Sequence, residues 1–165
     1  MRGFIATLTC LCMIAAGPAF AAPVKLGQNH AWGTYSYTQG NSKVCYVLSV
    51  PLKKLPADRD HGEIFFFVSQ KPGQNVTYEP QFIAGYDLQK DSKVTVTIGN
   101  QSFVMFTRGK SAWVENAAQE PLLVAAMRNG ADMKVDARSA RGTATSYVFS
   151  LRGVTAALST IANCQ

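Results

Sequence analysis

One short stretch of the chain concentrates the side chains that could do chemistry. Asp58, Asp60, His61 and Glu63 fall within six consecutive residues. Carboxylates beside an imidazole can hold a metal ion or exchange protons in general acid–base catalysis. However, their spacing matches no metal-binding signature, and a charged loop that precedes an apolar segment needs no catalytic purpose. We therefore keep loop 58–63 as the alternative site of a hydrolase or metal-dependent enzyme, and expect no catalytic residue, metal or cofactor.

The position of His61 in the fold separates these two interpretations. A concave pocket that holds His61 beside Asp58 or Asp60 would favour the enzyme, whereas a solitary His61 on a convex surface would exclude it. The other histidine of the chain, His30, lies near the start and is expected to be solvated. Serines are plentiful, but no Gly-x-Ser-x-Gly nucleophile elbow is present.

A second candidate is a short loop that carries arginine. Ser139, Ala140, Arg141 and Gly142 have the composition of a turn, and Gly142 allows a positive φ. Arg138 and Arg141 could bind an anion or simply face water. These two arginines form the candidate interaction surface.

The first residues are typical of a cleavable signal peptide. Arg2 is followed by an uncharged apolar run, and Ala19-Phe20-Ala21 has the small-x-small pattern of a cleavage site. The run is too short for a membrane span, which needs about 20 apolar residues. We predict a signal peptide over residues 1–21 and a mature domain over residues 22–165 without a transmembrane segment.

Two cysteines remain after that cleavage. Cys10 and Cys12 belong to the leader, so the mature chain keeps only Cys45 and Cys164. In an exported chain, two cysteines are most simply a disulfide. The alternative is one or two free thiols, and no Cys-x-x-Cys supports a redox role. We predict a Cys45–Cys164 bridge.

The charge of the mature chain is moderately positive. Cleavage removes one of the 16 basic residues and none of the 10 acidic ones, which leaves a net charge of +5. The basic residues are scattered and form no block of the kind that binds nucleic acid. The sequence therefore predicts no nucleic-acid partner.

Short segments rich in β-branched and aromatic residues alternate with turn residues along the mature chain. Residues 22–29 are expected to be loosely ordered. Strands are expected at 32–38, 43–50, 63–69, 80–86, 94–98, 101–106, 133–136 and 143–151. The Gly99-Asn100 link predicts a tight hairpin. The apolar run 63–69, with three consecutive phenylalanines, is typical of a strand buried on both faces.

Two helices are expected in the second half of the chain. Residues 119–129 have Pro121 near the start and Gly130 just past the end, as helix boundaries favour. Residues 154–163 carry an apolar stripe at Val154, Leu158 and Ile161. The predicted fold is mainly β, a single antiparallel β-sandwich or barrel-like domain with two short helices, one of them C-terminal.

Several of these segments, taken in order, resemble the invasion-associated locus B family of small exported proteins of Gram-negative bacteria. The segments are Trp32-Gly33, Cys45-Tyr46, WVENAA at 113–118, LLVAAM at 122–127, SARGT at 139–143 and YVFSLRGVTAAL at 147–158. The resemblance implies an envelope or secreted protein with an accessory or interaction role, and supplies no catalytic residues.

The resulting hypothesis is a periplasmic or secreted, non-enzymatic interaction protein. Its partner would be an unknown protein, an envelope component or a host surface. Besides the enzyme at loop 58–63, a small-ligand carrier remains as an alternative, and an apolar cavity of several hundred cubic ångströms would support it.

Overall fold

The computed structural model describes residues 22–164, which form one antiparallel sheet and two helices. The predicted signal peptide, residues 1–21, lies outside the described residues. The eleven strands are β1 Val24–Asn29, β2 Trp32–Gln39, β3 Ser42–Ser49, β4 Lys53–Leu55, β5 Phe65–Lys71, β6 Val76–Ile83, β7 Lys93–Ile98, β8 Gln101–Arg108, β9 Ser111–Val114, β10 Asp132–Arg138 and β11 Ala144–Ser150. The helices are α1 Glu120–Asn129 and α2 Val154–Ile161. The mainly β fold with a C-terminal helix is confirmed.

The strands follow the order β1-β2-β3-β5-β6-β9-β8-β7-β10-β11-β4 in a single open sheet, with β1 and β4 at its edges. The sheet curls so that its early strands face its late ones. The Trp32 indole N–H donates to the Ser150 carbonyl across this gap at 2.9 Å. Phe66 and Phe149 pack edge to face with ring centroids 5.9 Å apart. The result is a sandwich-like body whose two halves belong to one sheet.

The local turn signals predicted the right elements where they were strongest. Val94 to Ile98 pairs with the strand after Gly99-Asn100, and Gly99 has φ +56°. Glycine tolerates this left-handed conformation without the steric cost that other residues pay. In α1, Leu123 and Met127 are fully buried, and Val154, Leu158 and Ile161 of α2 are also buried. Both predicted helices are therefore confirmed, with their apolar faces in the core.

The expectation for residues 22–29 was wrong. This segment contains strand β1, which pairs with β2 along almost its whole length. Its side chains gave no signal, because β1 is an edge strand whose Val24 is 60% and Leu26 46% exposed. Backbone hydrogen bonds to β2, rather than burial, hold it in place. A short strand, β4, which the sequence did not predict, precedes loop 58–63.

The phenylalanine run was also misjudged. It was expected to be buried on both faces, yet of the three phenylalanines only Phe66 is fully buried, while Phe65 and Phe67 are partly exposed. Successive side chains of a strand point to opposite faces of the sheet. Phe66 therefore enters the core, and its two neighbours lie on the outer face.

A disulfide joins Cys45 in β3 to Cys164 just after α2, with the Cα atoms 5.8 Å apart. The predicted pairing is thus present in the structure. Cys45 and Cys164 are both buried, and the bridge fastens the last helix to the inner face of the sheet. Within residues 22–164, no helix has the length and apolar character that crossing a membrane requires.

Candidate functional site

A cleft of about 630 Å³ brings the two sequence candidates together. Loop 58–63 contributes Asp58, Asp60 and His61 to its wall, and the arginine loop contributes Ser139 and Arg141. The two loops are almost 80 positions apart in sequence and were predicted as separate sites. They meet here because β10 and β11 carry the arginine loop to the same end of the sheet where loop 58–63 crosses from β4 to β5.

Loop 58–63 is held by a close approach of two backbones. Gly62 has φ +60°, and a Cβ atom added to Gly85 would lie 2.4 Å from the His61 carbonyl oxygen. Only a residue without a side chain fits this contact. The Lys54 ammonium donates to the Gly62 carbonyl at 2.8 Å, and the Gly62 N–H donates to the Asp60 carboxylate at 2.8 Å. The loop is therefore a fixed part of the cleft wall.

His61 is buried at the base of the cleft and both of its ring nitrogens have partners. Nε2 lies 2.9 Å from the Pro56 carbonyl oxygen, and Nδ1 lies 2.8 Å from the Tyr147 hydroxyl. A carbonyl oxygen can only accept, so Nε2 carries a proton and donates it to Pro56. In the neutral imidazole, Nδ1 then accepts from the Tyr147 hydroxyl.

The hydrogen bonds continue from Tyr147 along the cleft wall. The Tyr147 oxygen lies 2.7 Å from the Tyr86 hydroxyl, which lies 2.6 Å from Thr145 Oγ1. When Tyr147 donates to His61, its oxygen accepts from Tyr86, and Tyr86 in turn accepts from Thr145. Burial, followed by the hydrogen bond to Tyr86, raises the pKa of the Tyr147 phenol above its usual value. Tyr147 therefore stays protonated and acts as a donor to His61.

The arginine loop is rigid for a different reason. Gly142 has φ +85°, as its place in the predicted turn requires, and its N–H donates to the Ser139 carbonyl. The Arg138 guanidinium donates to the Gly142 carbonyl at 2.8 Å, which ties the base of the loop to its far side. Arg141 is exposed and lines the cleft, whereas Arg138 lines a neighbouring hollow of about 480 Å³. The two arginines thus have different surroundings.

The charges of the cleft are mixed. Arg59 and Arg141 lie among the carboxylates of Asp58, Asp60 and Asp87. Asp58 is near Arg59, and both side chains are more than two-thirds exposed, so their attraction is weak. Across residues 22–164, no group of three or more His, Cys, Asp or Glu side chains is arranged to hold a metal ion. The arrangement suits a ligand that carries both donors and acceptors.

Sequence reasoning missed the residues that complete the cleft. Tyr86, Asp87 and Thr145 come from a loop after β6 and from β11, and nothing in their local spacing marks them. The sequence predicts Tyr86 at the end of strand 80–86 and Tyr147 within strand 143–151. Only the folding of the sheet brings positions 61, 86, 145 and 147 into one hydrogen-bonded chain. The remaining histidine, His30, is exposed in the turn between β1 and β2, away from this chain.

Comparison with known proteins places the fold. A family model described as "Invasion associated locus B (IalB) protein" matches residues 32–162. The structure is similar to a crystal structure of invasion associated protein B from Bartonella henselae, with a TM-score of 0.59 and 15% sequence identity. That similarity covers 86% of this chain and 95% of the other one. A comparison with curated proteins gives no match.

Proposed function

Because the chain belongs to the invasion associated locus B family, we propose that it is an exported, non-enzymatic binding protein of a Gram-negative envelope. The main support for export is the buried Cys45–Cys164 disulfide, together with the signal-peptide pattern of residues 1–21. Disulfides persist in oxidising compartments such as the periplasm and are rare in the cytosol. The protein would work in the periplasm or after secretion.

The hydrogen bonds of His61 support a role without catalysis. A general base must reach the proton that it removes, but Nε2 of His61 donates to Pro56 and Nδ1 faces Tyr147. Ser139 is the serine of the cleft, and its hydroxyl oxygen accepts from the Thr143 N–H at 3.2 Å. The cleft is concave and places His61 near aspartates, and this feature taken alone favours the enzyme alternative. Its histidine, however, is used as a structural link.

Arg141 is the residue that we assign to partner contact. It stands at the rim of the cleft on a loop that internal hydrogen bonds keep rigid, so little backbone conformational entropy is lost when it binds. A guanidinium presents several donors in a fixed geometry to carboxylate or carbonyl groups of a partner. Arg138 positions this loop through Gly142 and is expected to contribute only indirectly.

A photo-reactive residue beside Arg141 tests this proposal in living cells. Benzoylphenylalanine in place of Ala140, which is exposed and lines the same cleft, is expected to give a discrete cross-linked product in the periplasmic or secreted fraction. The matched control carries the same residue in place of Leu122, which is 58% exposed on α1 and lies outside the cleft. Cross-linked bands are separated by mass and identified by peptide sequencing.

Two results would contradict the proposal. Equal products from positions 140 and 122 would show unspecific contact, and a protein found only in the cytoplasmic fraction would refute export.

A further inference from the structure

The outer face of the sheet carries a row of partly exposed side chains. Residues that lie directly opposite each other on neighbouring strands share a face of the sheet. The strand register therefore aligns one residue from each of β3, β5, β6, β9 and β8 in a row across the sheet. In that order, the residues are Leu48, Phe67, Gln81, Trp113 and Phe106. We call these five residues the outer row. Trp113 and Phe106 stack with ring centroids 5.8 Å apart, and Phe106 is 40% exposed.

Three tyrosines extend this face beyond the outer row. Tyr35 and Tyr46 stack with ring centroids 5.3 Å apart and an interplanar angle of 13°. The Tyr46 ring also packs against the rings of Tyr37 and Phe67, with centroids 6.1 Å and 5.6 Å away. The rings hold each other in place, so their exposed faces are fixed before any ligand arrives.

A groove of about 390 Å³ lies where the tyrosines meet the outer row. Tyr37, Tyr46 and Phe67 are among its lining residues, and Val44 is almost fully buried beneath them. Ser69 and Gln81 add polar groups to the same groove. Aromatic walls with a few polar groups are the usual composition of small-ligand sites.

The surroundings of the groove exclude two kinds of partner. β3, β5 and β6 are interior strands, paired on both sides, so a peptide cannot add to them as a further strand. Of the nearby cations, Lys71 pairs with Glu79 and Lys93 pairs with Glu115, while Lys25 lies over the Tyr35 ring at 6.0 Å from its centroid. A ligand recognised mainly by charge would find no cluster of free charges here.

We infer that this groove and the outer row bind an N-acetylated, β-1,4-linked glycan strand of the bacterial cell wall. The choice of a cell-wall glycan rests on the proposed export, which places the protein beside this polymer. Stacking against rings, with hydrogen bonds from a few side chains, fits a neutral sugar because a pyranose has flat C–H faces and a rim of hydroxyls.

The geometry of the row matches an extended sugar chain. Neighbouring strands lie about 4.8 Å apart, so the row offers a side chain at a regular step across the sheet. Phe67 and Trp113 are two strands apart, with the Gln81 amide between them. A β-1,4-linked chain that crosses the strands would stack on the two rings and present its acetamido groups to Gln81. Burial, then the neighbouring Tyr35 and Tyr37, raises the pKa of Tyr46, whose hydroxyl stays neutral.

Titration with chitotetraose, the N-acetylglucosamine tetramer, tests this inference on protein purified from the periplasm. Trp113 is partly exposed and Trp32 is fully buried, so a change in tryptophan fluorescence reports on the row. Saturable binding is expected, and Tyr46→Ala and Trp113→Ala should each weaken it by about tenfold or more. Binding by the tryptophan variant is followed by calorimetry. Trp113→Phe should keep most of the affinity, and Leu122→Ala should bind as the parent does.

Several outcomes would overturn the inference while leaving export untouched. They are an absence of chitotetraose binding at millimolar concentration, equal binding of the α-linked maltotetraose, and binding that both alanine variants retain. A concentration-dependent dimer that Tyr46→Ala abolishes would instead assign this face to self-association. Thermal unfolding of each variant shows that a lost affinity does not come from a lost fold.

Discussion

Replacement of both Cys45 and Cys164 by alanine is expected to lower the free energy of unfolding by about 5 kcal/mol. The two residues are 119 positions apart. A cross-link of that span removes much of the conformational entropy of the unfolded chain, and the chain-entropy relation gives this value for a loop of about 120 residues. The midpoint of thermal unfolding should fall by roughly 10–20 °C. Urea denaturation of the two proteins measures the difference.

Reduction provides the matched control for this experiment. Dithiothreitol should lower the stability of the parent protein to that of the alanine variant and should leave the variant itself unchanged. A loss smaller than about 1 kcal/mol would contradict the stabilising role that we assign to the bridge.

Replacement of His61 by phenylalanine is expected to cost about 3 kcal/mol of stability. The variant keeps an aromatic ring, but it removes the partner of the Pro56 carbonyl and of the Tyr147 hydroxyl. An unsatisfied buried polar group costs about 1–3 kcal/mol. The double variant His61→Phe, Tyr147→Phe should lose less stability than the sum of the two single variants, because both single variants break the same hydrogen bond. Urea denaturation of the four proteins in this cycle gives the coupling.

Asp58→Asn is the control for the His61 variant. Asp58 lies in the same loop, but its side chain is 75% exposed, so its replacement should change stability by less than about 0.5 kcal/mol. If His61→Phe left stability unchanged while it abolished a hydrolytic activity of the purified protein, the histidine would be catalytic and the non-enzymatic proposal would fail.

Local patterns predicted the parts of the fold that local physics decides. The hairpin at Gly99 follows from a two-residue link that permits positive φ, and α1 and α2 follow from apolar stripes with suitable end residues. The Cys45–Cys164 pair followed from the leader pattern and from the count of cysteines that remain. None of these inferences needs knowledge of distant contacts.

The remainder depends on which strands pair and how the sheet curls. Strand β1 has exposed side chains, so only its backbone pairing with β2 reveals it. The alternation of Phe65, Phe66 and Phe67 between two faces was hidden because all three residues are apolar. The outer face of β5 accepts two phenylalanines because the neighbouring tyrosines and Trp113 form an aromatic surface there.

The cleft was the least predictable feature. Its two loops have turn and charge patterns that are common in surface loops, and the contact between Gly62 and Gly85 involves backbone atoms alone. His61 was considered for its chemistry because it follows two aspartates. Its actual partners, Pro56 and Tyr147, include one backbone carbonyl and one residue 86 positions away. Sequence spacing carries no information about such partners.

The intact mass of the protein recovered from its native cells, after alkylation under denaturing but non-reducing conditions, tests the central claim most directly. We predict a chain that starts at Ala22, weighs two hydrogen atoms less than its reduced form and takes up no alkylating agent. A chain that retains residues 1–21 would show that the protein is not processed for export, and a chain whose Cys45 and Cys164 are both alkylated would show that the bridge is absent.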